Sequence, residues 1–98
     1  MDIETANREA IRQATEDDLR SVLAEDFGAT LTLVRNYGDR FEATADARGG
    51  YRVAYYDAIS GGRWAAVETL TLAQVRDAFC DYFLGHWNWH GRQTWRTM

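Results

Sequence analysis

Between residues 29 and 68 the chain alternates apolar and polar side chains in four short runs, ATLTLVRNY, RFEATA, YRVAYYDAI and RWAAVE, with glycine in every gap. An extended backbone sends successive side chains to opposite faces, so period two over such lengths specifies half-buried strands. The gaps are turns: residues 36–39 hold Gly38, residues 46–50 end in two glycines, and Ser60-Gly61-Gly62 is a tight connection. Connections this short join antiparallel neighbours. The four runs therefore predict a meander. Leu31 and Leu33 share a face of it. Tyr51, Val53, Tyr55 and Ile59 share one in the third run, with Arg52, Ala54 and Tyr56 opposite.

On either side of the meander the period lengthens to that of a helix. Thr15 followed by Glu16, Asp17 and Asp18 has capping-box spacing and early acids. Leu19, Val22, Leu23 and Phe27 supply its apolar stripe, and Gly28 can end it. Thr71 with Gln74 caps a second helix whose stripe is Leu72, Val75, Phe79, Tyr82 and Phe83, with Gly85 closing it. Gln74, Asp77 and Asp81 face water. Residues 1–14 fit a short helix or an edge strand over residues 10–13. Residues 86–95 read as extended, a last strand. The expected architecture is a single small α+β domain over residues 1–98, an antiparallel sheet of four to five strands packed with two helices.

Charge and composition narrow the function. The chain carries 15 acids against 11 arginines and no lysine, a net charge of −4. Residues 1–26 hold eight acids and three arginines, whereas the remainder is nearly neutral. Such a domain lacks the cationic balance of a duplex nucleic-acid binder. It suits an electropositive protein partner better. No apolar run is long enough to span a bilayer, and MDIETANREAIRQ lacks a signal-peptide pattern. A lone cysteine, Cys80, fits a reducing compartment, so the expected location is cytoplasmic.

The segment GHWNWHGRQTW, residues 85–95, concentrates three tryptophans and two histidines. If extended, it puts Trp87 and Trp89 on one face, and His86, Asn88, His90 and Arg92 on the other; at least two of Trp87, Trp89 and Trp95 are expected to be packing residues. His86 and His90 would then lie about 13 Å apart, too far to share an ion, and a zinc site needs three or four ligands. Cys80 lies near the buried side of its helix, where a thiol is usually inert. Asp77 and Asp81 read as solvated. Neither pair of adjacent glycines joins a strand to a helix as a phosphate loop does. Tyr55, Tyr56, Trp64, Arg52 and Arg63 could stack single-stranded bases, but the net charge opposes it. The reading contains no catalytic residue, cofactor or metal. What remains is a protein-binding surface, with Arg52, Tyr56 and Trp64 near one sheet face and His86, Asn88, His90 and Arg92 along the tail. An exposed edge strand also admits a homodimer.

The stretches ATEDDLRSVL, ATLTL and ETLTLAQVRDAFCDYFLGHWNWHGRQTW together resemble the immunity proteins of bacterial polymorphic toxin systems, in particular the Imm1-like group. The likeness covers about residues 10–96. Phe79, Phe83, Gly85, Trp89 and Trp95 take the places of that family's aromatic pair, glycine and closing tryptophans. The family's tail often has proline after the glycine, and this chain has no proline. The resemblance implies binding without turnover: docking on a cognate toxin inside the producing cell, over or near its active site. An acidic inhibitor would suit a toxin with an electropositive cleft. The alternatives are a non-inhibitory interaction or adaptor domain, and a small ligand-binding domain or enzyme.

Overall fold

The computed structural model describes residues 1–25 and 27–98. In chain order the elements are β1 (Asp2–Thr5), β2 (Arg8–Ile11), α1 (Glu16–Ala24), β3 (Thr30–Val34), β4 (Arg40–Ala45), β5 (Tyr51–Tyr56) and β6 (Arg63–Ala66). Then come α2 (Leu72–Leu84), a single turn α3 (Asn88–Gly91) and β7 (Trp95–Thr97). The strands form one sheet in the order β2-β1-β3-β4-β5-β6-β7, every pair antiparallel.

The expected meander is present as β3 to β6, but the expected sheet of four to five strands with two helices is wrong. Seven strands and three helices are present among the described residues. The extra strands come first from residues 1–14, which form a hairpin and no helix. Its first strand inserts beside β3, pairing Ile3 with Leu33 and Thr5 with Leu31. Ile3 is its one buried apolar side chain, so the acids around it hide the alternation in the sequence. The second correction is the tail, which is not extended. The amide of His90 donates to the Trp87 carbonyl at 3.0 Å and that of Arg92 to Asn88 at 3.2 Å, making one helical turn before β7.

Both helix caps form as their spacing requires. Thr15 Oγ1 accepts from the Asp18 amide while Asp18 accepts from the Thr15 amide, and Thr71 and Gln74 repeat the arrangement. Helix α2 stops at Gly85, held at φ 79°. There the Gly85 and His86 amides donate to the carbonyls of Tyr82 and Asp81, and the left-handed conformation suits a residue without Cβ. Helix α1 ends earlier than its stripe suggested, so Phe27 is buried outside it, its ring 5.5 Å from that of Tyr51. Arg76 ties the helices together by donating to the Leu23 carbonyl at 3.0 Å.

The helices cover one sheet face. Ile3, Leu31, Leu33, Phe41, Ala43 and Val53 are buried there against Leu19, Val22, Val75 and Phe79. At its centre Phe41 stacks on Tyr82 (4.5 Å between ring centroids) and meets Phe79 and Trp89 edge-on (4.8 and 4.9 Å). Leu72 and Phe83, expected in the α2 stripe, lie at its margin: Leu72 is exposed and Phe83 half-buried. No residue of the opposite sheet face is buried. Among the described residues no helix is long and apolar enough to cross a membrane.

Candidate functional site: an aromatic groove at one end of the sheet

Hairpin parity brings the β3–β4 and β5–β6 turns to the same end of the sheet, where the C-terminus of α2 also arrives. Asp39 joins the two turns, its Oδ1 accepting from the Ala58 amide at 2.7 Å, and Asp57 Oδ1 accepts from the Ile59 amide at 3.0 Å. Between the turns and α3 lies a groove of about 360 Å³. Its floor is Tyr55, Tyr82 and Trp89, and its walls include Arg35, Tyr56 and His86. The rim is apolar and stands in solvent: Ile59 is 88% exposed, Trp87 70% and Tyr37 59%.

The floor is rigid for reasons visible in the ring contacts. Trp89 meets Tyr55, Tyr82 and Trp95 edge-on at 5.1 to 5.6 Å. Trp87 stacks on Trp89 at 5.5 Å, which holds the exposed indole in place. Arg35 lies 4.4 Å above the Tyr82 ring and donates to the Tyr82 carbonyl at 2.9 Å. Burial pushes the Tyr82 phenol up, against the opposing effect of Arg35, and burial followed by the charge of Asp57 raises Tyr55. Both phenols therefore stay neutral donors through physiological pH.

The sequence-derived site residues scatter. Tyr56 and His86 line the groove. Trp64 does not share a face with Arg52 and Tyr56, because it pairs with Tyr55 across β5–β6 and stacks on that ring at 4.9 Å. A Cβ at Gly62 would overlap the Trp64 ring, so that stacking needs the glycine. Arg52 sits on the helix-free face, 3.5 Å from Asp46. Ile59, expected on the Tyr55 face, belongs to the turn.

The tail residues do not form one polar side either, since α3 turns them in different directions. Arg92 reaches Asp81 at 3.0 Å and His86 Nδ1 lies 4.0 Å from the same carboxylate. Asp81, expected merely to be solvated, ties the tail to α2. Asn88 begins α3 and is exposed. His90 is exposed beside Trp87 and Trp95, and its carbonyl accepts from Trp95 Nε1 at 2.9 Å.

Sequence reasoning missed Arg35, Tyr37, Asp39, Asp57 and Ile59; of the three tail tryptophans, Trp89 and Trp95 pack as expected of at least two, and Trp87 is the one left in solvent. The usable signal was topological: alternate hairpin turns of a meander share one end of the sheet. Burial raises the Cys80 thiol, partly offset by Arg20, so it stays protonated at neutral pH. Among the described residues no three His, Cys, Asp or Glu side chains are grouped to hold a metal ion. No known family, curated protein or solved structure matches this chain.

Proposed function

We propose that this protein is a non-catalytic inhibitor of the immunity class that docks on a cognate toxin through the aromatic groove. The observation that carries the reading is the rim: Ile59, Trp87 and Tyr37 stand in solvent around a floor that is already rigid. Exposed large apolar side chains are costly to leave in water, and their clustering marks an interaction surface. Trp and Tyr are the residues that most often dominate binding energy. A pre-ordered anchor such as Trp87, held on Trp89, loses little side-chain entropy on docking.

Charge supports the choice of partner. The net charge of −4, with its excess acids in the first 26 residues, favours approach to an electropositive surface such as the cleft of a nuclease. The sequence resemblance points the same way. Its marker residues Phe79, Trp89 and Gly85 are scaffold here, so the variable part of such a surface would be the rim. The setting is the cytoplasm of the toxin-producing cell.

The test is affinity capture of the tagged protein from its native bacterium under high salt, beside the variant Trp87→Ala. A stoichiometric partner that kills cells when expressed alone, and is silenced by this chain, supports the reading. The Trp87→Ala variant is then expected to weaken capture about 30-fold, the equivalent of roughly 2 kcal/mol. A non-toxic partner would make the protein an adaptor. A toxin bound equally well by Trp87→Ala would move the docking surface elsewhere.

A further inference from the structure

The aromatic groove holds two carboxylates that no cation of the chain satisfies. Asp39 and Asp57 both line it, and both are half-buried. Each commits one oxygen to a turn: Asp39 Oδ1 accepts from the Ala58 amide and Asp57 Oδ1 from the Ile59 amide. Neither makes an ion pair among the described residues. The cationic groups in the same groove are engaged elsewhere. The Arg35 guanidinium lies on the Tyr82 ring and donates to the Tyr82 carbonyl, and His86 Nδ1 lies 4.0 Å from Asp81. Arg40 and Arg63 line a separate depression on the helix-free face.

We infer that the groove receives an arginine side chain of the docking partner. This rests on the docking proposed above and names the chemistry that the groove recognises. A guanidinium is planar, stacks on aromatic faces and pairs through its N–H edge with carboxylates. Trp87 has one indole face stacked on Trp89, and its 70% exposure leaves the other open. Tyr37, also exposed, stands on the same rim. Asp39 and Asp57 supply carboxylate oxygens for the N–H edge. The groove already carries one guanidinium on a ring, that of Arg35, 4.4 Å above Tyr82.

Other occupants fit less well. A purely apolar side chain would cover the rings but strip water from Asp39 and Asp57 without replacing it, which is costly for a charged group. A lysine ammonium is a compact, strongly hydrated point charge with no flat face to lay on an indole. An electropositive partner surface carries arginines, so the groove would add a local contact to the longer-range attraction of a protein with net charge −4.

The test is titration of the isotope-labelled protein with N-acetyl-arginine amide, followed by NMR at the Trp87 and Trp89 indole N–H signals. N-acetyl-citrulline amide, the same shape without the charge, and N-acetyl-lysine amide are the controls. Arginine is expected to shift the Trp87 signal with a Kd on the order of 1 mM, and both controls to bind at least about fivefold more weakly. Asp39→Asn and Asp57→Asn each keep an oxygen for the turn amide and remove the charge. Each is expected to weaken arginine binding at least about threefold, and thermal melts check folding. No shift at arginine concentrations well above the expected Kd overturns the inference. So does citrulline or lysine binding as tightly as arginine, or arginine binding untouched by both aspartate variants. Docking itself is tested separately, by capture with Trp87→Ala. A toxin lost on that substitution but held equally by Asp39→Asn and Asp57→Asn would keep the groove as the docking surface and remove the arginine from it.

Discussion

Two tryptophans two residues apart should differ sharply in what they contribute, and that difference tests the tail directly. Trp89 is 5% exposed and touches the rings of Phe41, Tyr55, Tyr82 and Trp95. Replacing a buried tryptophan with alanine removes its transfer energy and leaves a cavity, about 3–5 kcal/mol in all. A domain of this length has roughly 5–15 kcal/mol in total, so Trp89→Ala should be barely folded or lose a large part of its stability. Trp87, 70% exposed, loses mainly its stack on Trp89, roughly 0.5–1 kcal/mol. The expected gap is at least about 2 kcal/mol, or about 8 °C or more in melting temperature. Urea unfolding of both variants beside wild type, compared at constant slope, measures it. An extended tail would put both indoles on one face and make the costs similar. Two values within about 0.5 kcal/mol of one another would refute the helical turn at residues 88–91.

Three further outcomes are expected. Gly85→Ala should cost about 1 kcal/mol, since alanine resists the φ of 79° that closes α2, and thermal melts will show it. The Gln13 amide, with the Arg12 guanidinium beside it, holds the Asp2 carboxyl below its ordinary 3.8. Its contribution is thus present at neutral pH and lost as pH falls through the lowered folded value; unfolding of Asp2→Asn and wild type should differ at pH 7 and converge as the pH is taken below that folded value. Cys80, raised by burial, should react with an aromatic disulfide reagent at pH 7 more slowly than a free thiol in the unfolded chain, and a rate equal to the unfolded one would contradict its burial.

Much of the scaffold was legible because it rests on local physics. Thr15 and Thr71 cap their helices through side chains only three residues away, and the meander runs alternate strongly. The N-terminal hairpin was obscure because its alternation rests on Ile3 and Ile11 among charges; pairing with β3 supplies what local propensity lacks. The tail deceived for the opposite reason. W-N-W-H alternates well, yet burying Trp89 between Phe41 and Tyr55 outweighs the extended preference and turns Trp87 outward. Register decided the rest: Trp64 pairs with Tyr55, not with Tyr56, and a one-residue difference changes the face. The groove was not legible at all, because it is assembled from two turns and a helix end far apart in sequence.

The sheet order also dictates a timetable during synthesis. Of the seven described strands, Asp2–Thr5 is made first and ends up between the second and third. Its hairpin can close as soon as residue 11 has emerged, but its other edge stays open until residues 30–34 arrive. Trp89, the indole on which the aromatic centre rests, follows six of the seven described strands in the chain. A nascent chain therefore carries six strands before the residue that locks them is made. The sheet becomes a solid body only once residues 88–91 have emerged, and until then its exposed apolar face is a natural client for chaperones.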